Sequence, residues 1–155
     1  MDTTKLVRAY HSLIAAAEGI DKARQLNTED RTEIEWRLCH IALSDEILAA
    51  AVEKTLAGEP AVVDNKPAMD RAAIAFLTAR TNHDERVASM KYNGAAFASA
   101  AEKLSEHQSR SMVRLIAHNR NGIFLSDSEM SWYDLIILRA ERHLPSHTTF
   151  LTNAR

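Results

Sequence analysis

The stretch Glu29–Leu56, EDRTEIEWRLCHIALSDEILAAAVEKTL, reads as one long helix, and its patterning decides the fold class. It holds no glycine or proline and is rich in Ala, Leu and Glu, residues that lose little side-chain freedom in a helix. Ile34, Leu38, Ile41, Leu48 and Val52 recur at helical spacing as an inner stripe, and Trp36, Leu43 and Ile47 form a second apolar set. Glu35, Glu46 and Glu53 line up as a solvated edge. A helix with two apolar sides needs more than one neighbour to cover it, so several helices must pack together. His40 falls with Trp36, Leu43 and Ile47, away from the glutamates, and is expected to be buried or in a cleft.

Working outward, a first helix is predicted from Thr4 to about Leu26, with Leu6, Tyr10, Leu13, Ala17 and Ile20 on one stripe. Asn27 stops it, and Thr28 is placed to cap the second helix, with Glu29 and Asp30 in its positive first turn. Residues 58–65 read as a loop. Asp64 or Asn65 then caps a short helix with Pro67 in its first turn, running to about Arg80. Thr81 or Asn82 precedes a third long helix, from His83 through Leu104, whose stripe is Val87, Met90, Phe97, Ala101 and Leu104. Gly94 lies on that stripe, where a missing side chain lets a neighbouring helix come close. Met112–His118, then Asn119-Arg-Asn-Gly122, then Ile123–Leu125 is a hairpin signal. Asp127 or Ser128 opens the last helix, about Glu129 to Thr152, with Trp132, Ile136, Ala140, His143, His147 and Phe150 sharing a face. The expectation is an all-α fold, an up-down-up-down four-helix bundle. It carries a short extra helix and a small β-hairpin before the last helix, in a single domain over residues 1–155.

Composition narrows the functional classes. A chain of 155 residues with 46% hydrophobic and 26% charged residues suits a soluble globular domain. Net charge is −2 with the signs interspersed, so the basic stripe of a duplex binder is missing and nucleic acid is not an expected partner. The single Cys39 excludes an intramolecular disulfide and a cysteine-rich zinc site, and reads as a small buried or half-buried thiol. With no apolar run of membrane-spanning length and no signal-peptide pattern after Met1, a cytoplasmic protein with no membrane partner is expected.

His143 and His147 stand four residues apart on the apolar face of the last helix. That spacing projects both rings from one side, close enough to hold one ion, as two histidines do in metal-binding helices. Two imidazoles among Trp132, Ile136 and Ala140 need polar partners, and a metal would satisfy both at once. Alternatively they lie at the rim and bond to water, Ser146 or Arg139. If His40 faces the pair, three neutral imidazoles surround a divalent ion and leave a position open; zinc and nickel suit such a donor set. Pro145 either kinks the helix between the two histidines or breaks it at Leu144. Asp45 on the inner stripe is either an acceptor for a ligand histidine or an ion-pair partner for Arg24 or Arg139. His11, His83, His107 and His118 read as surface groups. No phosphate loop or nucleophile elbow is present, so no catalytic or cofactor-binding residue can be named.

Glu35-Trp-Arg-Leu-Cys-His-Ile-Ala-Leu-Ser-Asp45, Met130-Ser-Trp-Tyr-Asp-Leu-Ile136 and Arg139-Ala-Glu-Arg-His143-Leu-Pro-Ser-His147 together resemble the DinB/YfiT-like superfamily of four-helix metalloproteins. In that family a histidine of the second helix and an H-x-x-x-H pair of the last helix bind a divalent metal, roles that pass here to His40, His143 and His147. The resemblance implies a thiol-dependent transferase or isomerase that uses a low-molecular-weight thiol of the mycothiol or bacillithiol type on a small-molecule substrate. The segment Thr148-Thr-Phe-Leu151 departs from the family, where glutamine often follows the last histidine. Water activation for hydrolysis and a non-catalytic metal- or ligand-binding bundle are the other readings. The second apolar side of the Glu29–Leu56 helix suggests a homodimer.

Overall fold

The computed structural model describes residues 1–20 and 26–154. Its longest helix is α2, Thr28–Leu56, which packs most extensively against the helix His83–Glu102. Asn27 is the capping residue in place of the expected Thr28: its Oδ1 accepts from Asp30 N at 2.7 Å. The helix stops at Ala57 because Gly58 turns to φ +76°, a backbone angle that glycine adopts without a Cβ clash. Its first stripe is buried as expected, whereas Trp36, Leu43 and Ile47 of its second apolar side are half-buried; α4 (Arg71–Arg80) and α5 (His83–Glu102) both pack against the helix. Glu35 is half-buried and not on the solvated edge, paired with Arg86 of α5 at 3.4 Å.

The first helix, α1, is shorter than expected. It covers Thr4–Glu18 and ends at Gly19, and the rest of the expected span reaches beyond the described residues. Tyr10 on α1 lies against Gly94 of α5, where a Cβ would come within 2.7 Å of the Tyr10 ring.

The region before α5 is more divided than its sequence suggested. Residues Val62–Asp64 form β1, a strand inside the expected loop, which pairs in parallel with β2, Met112–His118. Asn65 then exchanges two bonds with the backbone of His118, at 3.1 and 2.6 Å. A single turn, α3 (Lys66–Met69), ends at Asp70, whose extended backbone and carboxylate cap α4 by accepting from Ala73 N at 2.8 Å. The one short helix to Arg80 is therefore two, because Asp70 uses its side chain to start a new helix. Asn82 and Glu85 make a reciprocal capping box at the start of α5, and Ser105 and Gln108 make another that starts α6, Glu106–Arg110.

The hairpin turns at Asn119–Gly122, with Gly122 at φ +73°, and its second arm, β3, runs over Phe124–Ser131. The sheet thus has three strands in the order β1-β2-β3, and the fold is mostly helical with this small sheet beside the helices. Asp127 and Ser128 were the expected start of the last helix. They lie in the ladder opposite Ile116 and Leu115, and the Asp127 carboxylate takes two bonds from Arg114. Ser131 is the actual cap, accepting from Asp134 N at 3.0 Å, so helix begins at Trp132. Trp132 is fully buried and donates Nε1–H to Thr55 Oγ1 at 2.9 Å, fastening this end to α2.

The last helical stretch runs as α7 (Trp132–Leu138), a π-helical turn (Arg139–His143) and α8 (Leu144–Asn153). Pro145 neither breaks the helix at Leu144 nor turns the two histidines apart. The wider turn ahead of it, in which Leu144 N–H reaches back to Arg139 O, carries the chain continuously into α8. Among the described residues no helix is long and apolar enough to cross a membrane.

The Tyr10–Gly94 contact yields a test. Alanine at position 94 gains about 1 kcal/mol of helix propensity. Its methyl meets a ring that is buried and held through its hydroxyl by Asp45, and so has no room to withdraw. Overpacking should win, and Gly94→Ala should be destabilised by a net ~1–2 kcal/mol in a denaturant melt, against stabilisation if the contact were loose.

Candidate metal centre

His40, His143 and His147 come together although 103 residues separate the first two. His40 lies on the buried face of α2. Its Nδ1–H donates to Ala68 O at 2.7 Å, and its ring stacks on Trp36, one turn earlier, at 4.6 Å and 10°. Because α3 is a single turn, its carbonyls have no full set of helical partners, and the ring supplies one. This bond fixes the proton on Nδ1 and leaves the Nε2 lone pair facing His143 Nε2 at 3.4 Å. His143 ends the π turn and His147 sits one turn into α8, with their ring centroids 4.7 Å apart. The relative aim of the two rings, which Pro145 put in question, is convergent.

One potential ligand atom from each ring lies within 4.8 Å of the others. A tetrahedral ion with Zn–N bonds near 2.1 Å sets its ligand nitrogens about 3.4 Å apart. The His40–His143 pair already has that spacing, and with all three atoms within 4.8 Å the third ring would have to approach by up to about 1.4 Å. By residue type, burial and distance, the three histidines are close enough to bind a metal.

Burial keeps the rings neutral, the state in which an imidazole donates a lone pair. It pulls His40 down to about 4, His143 to about 2 and His147 to about 3, with nearby arginines pushing the same way. The Ala68 carbonyl opposes the shift at His40.

Two arginines face the cluster. Arg37 Nη1 stands 3.0 Å from His147 Nδ1, and Arg139 Nη1 stands 3.1 Å from His143 Nδ1. Arg139 is 6% exposed and also bonds Asp45, which is fully buried on α2. Tyr10 OH donates to the same Asp45 oxygen at 2.5 Å. Burial works against the charge on Arg139, but Asp45 and Tyr10 together outweigh it and hold the guanidinium protonated. Burial likewise raises the Asp45 carboxyl, while Arg139 and the Tyr10 hydroxyl act against that rise. Asp45 is therefore the ion-pair partner of Arg139 and reaches His143 only through it. Its other proposed partner, Arg24, lies outside the described residues.

The remaining histidines stay away from the trio. His11 and His107 are exposed, the latter on α6. His83 and His118, expected at the surface, are half-buried: His83 Nε2 reaches Ala17 O at 2.9 Å, and His118 Nδ1 lies 3.3 Å from Asp64. Cys39 is buried beside Thr78, and burial pushes its thiol pKa up, away from reactive thiolate. Sequence reasoning missed Arg37, Ala68 and Arg120 around the cluster. The Arg139–His143 contact was readable as an i,i+4 pair on one helix; the others join elements distant in sequence.

Beside Trp36, between α2 and α4, lies a cavity of about 550 Å³ with Ile74, Ala75, Thr78, Arg71 and Arg120 in its walls. Arg120, at the hairpin tip, lays its guanidinium 3.4 Å from the Trp36 ring centroid and bonds both oxygens of Glu33. Arg120, Trp36 and His40 thus form one stack from the cavity wall to the cluster.

No family model, curated protein or solved structure matches the chain.

Two outcomes follow from this electrostatic arrangement. Removing one partner of a buried pair strands the other charge, so Asp45→Ala should lose about 3–5 kcal/mol. The double variant Asp45→Leu/Arg139→Met should recover most of that, as read by chemical denaturation. In an unfolded chain histidine protonates near pH 6.5, and in this fold the trio stays neutral to about 4 or lower. Between those values the unfolded state binds up to three more protons, so stability declines as pH drops, by at most about 4 kcal/mol per pH unit. Replacing His143 by Phe should lower that slope by about one proton in denaturation measured from about pH 7 to about pH 5; an unchanged slope would show that His143 is not held neutral.

Proposed function

We propose that the chain is a divalent-metal-dependent enzyme of the DinB-like superfamily, with His40, His143 and His147 holding Zn²⁺ or Ni²⁺. In this proposal its reaction is a transfer or isomerisation using a low-molecular-weight thiol and a small-molecule substrate, in the cytoplasm. The observation that carries it is the convergence of three neutral, largely buried imidazoles within 4.8 Å, one of them held in a metal-ready tautomer by a backbone carbonyl. The packing of α2 on α5, and of α1 on both α5 and α8, supports an up-down-up-down bundle of the kind that family builds. When bound, such an ion supplies Lewis acidity, lowering the pKa of a thiol or water at its open position.

The protein's own residues account for the rest. His40 is oriented by Ala68 and by the Trp36 stack. Arg139, anchored by Asp45 and Tyr10, sets the position of the π turn that carries His143. The cavity beside Trp36 falls in the volume range of small-molecule sites and offers apolar walls to a substrate body.

A second reading, a non-catalytic bundle whose histidines bind no metal, is favoured by one specific observation. Metal-ligating histidines usually give their second N–H to an acceptor, whereas His143 and His147 each have an arginine donor at Nδ1. Elemental analysis and Zn²⁺ or Ni²⁺ titration of the purified protein separate the readings. The enzyme proposal expects roughly one metal per chain, with affinity falling at least tenfold in His147→Ala. It also expects metal-dependent turnover of a thiol with an electrophile that disappears in His40→Ala. Less than about a tenth of an equivalent, with no uptake on adding either ion, would leave the non-catalytic reading standing.

A further inference from the structure

Both ring nitrogens of His147 are constrained. A guanidinium only donates, so with Arg37 Nη1 at 3.0 Å, Nδ1 is the accepting nitrogen and the neutral ring carries its proton on Nε2. An imidazole that lends Nε2 to an ion carries its proton on Nδ1, and two donors would then face each other across that distance. If Nδ1 were the ligand, the guanidinium would stand where the ion must go. The Arg37–His147 bond and coordination by His147 exclude each other.

Arg37 is the partner able to leave. Its side chain is 18% exposed, its contact to Glu33 is long at 3.6 Å, and its buried Nε has no hydrogen-bond partner among the described residues. Glu33 is already committed to Arg120, which takes both of its oxygens at 2.6 and 3.2 Å. The Phe150 ring lies 4.0 Å from the Arg37 guanidinium carbon, a stacking surface that tolerates rotation of the guanidinium. Arg139 differs: Asp45 and Tyr10 anchor it, so at His143 it is the half-buried ring that must turn.

Charge then says what Arg37 would move to. The trio includes no carboxylate, and one carboxylate, Glu33, serves two guanidiniums. A divalent ion among three neutral imidazoles adds positive charge beside an arginine that has just lost its partner. An anion at the ion's open position relieves both, and a carboxylate matches the planar fork of a guanidinium with two parallel bonds.

We propose that this site takes its metal together with a small carboxylate-bearing anion, Arg37 passing from His147 to the anion as both bind. This rests on the metal reading above. Linkage makes the coupling reciprocal: the anion tightens the metal by the factor by which the metal tightens the anion.

The test is Zn²⁺ affinity by competition with a chromophoric chelator at constant ionic strength, for the wild-type chain and Arg37→Met. Each is measured alone, with acetate, and with neutral acetamide. Without acetate, Arg37→Met should bind Zn²⁺ about fivefold more tightly than wild type, since its competitor for His147 is gone. Acetate should tighten the wild type by about fivefold or more and leave Arg37→Met unchanged; acetamide should affect neither. Equal or weaker Zn²⁺ binding by Arg37→Met, or the same acetate effect in both chains, overturns the inference while leaving the metal site intact. Zn²⁺ binding by neither chain overturns the metal reading and this inference with it. A two-bond ¹H–¹⁵N imidazole spectrum of the wild type needs no variant. His147 Nδ1 should be unprotonated at first and become protonated when Zn²⁺ and acetate are both added. A proton on Nδ1 from the outset also overturns the inference.

Discussion

Asp45, Arg139 and Tyr10 meet in the interior where α2, the π turn and α1 converge, and the geometry of the histidine cluster depends on that meeting. The two charged groups are nearly free of solvent, so each is tolerated only because the other is there. The pair also acts as a directional constraint that apolar packing alone would not supply. Arg139 can satisfy Asp45 and Tyr10 only if the helix presents it at one rotation and height, and His143, four residues on, is placed by the same requirement. One oxygen of Asp45 takes the contacts, and the other has no partner among the described residues, so the arrangement retains unmet hydrogen-bonding capacity.

Around this anchor the cluster combines two opposed features. The imidazoles are neutral by burial, which suits metal coordination, and the charges nearest them are guanidiniums, which oppose a second cation. The side chains that separate the cluster from the adjoining cavity belong to the same network: Arg120 reaches from the hairpin tip over Trp36, and Trp36 lies flat on His40. The small sheet therefore matters to the site. It holds the hairpin tip against α2, through Asn65 bonded to His118 on one side and Glu33 bonded to Arg120 on the other.

How far the chain could be read depended on how local each determinant was. The long helices and the Asn119–Gly122 turn were legible because propensity, periodicity, caps and a glycine at positive φ act within a few residues. The β1 strand was not, since three residues carry no period and Val62–Asp64 is a strand only because Arg114–Ile116 pairs with it. Asp127 and Ser128 have the chemistry of helix caps, yet the ladder from Met112 to Ala117 and the Arg114 guanidinium claimed them first. Asp70 and Ser105 were readable caps in principle, but nothing local ranked them above their polar neighbours.

The sequence by itself determined that this is a mostly helical chain, and that His40, His143 and His147 stand on apolar faces where an unpaired imidazole is costly. Those are consequences of residue spacing and of the dehydration of polar groups, and both can be computed along the chain. Only the tertiary structure decided that the three rings meet, that Pro145 is absorbed by a π turn, and that the outer nitrogens of two rings face arginines. These depend on the relative rotation and height of helices far apart in sequence. The buried Arg139–Asp45 pair ties the π turn to α2 and the Tyr10–Gly94 contact ties α1 to α5, and no periodicity within one helix encodes either.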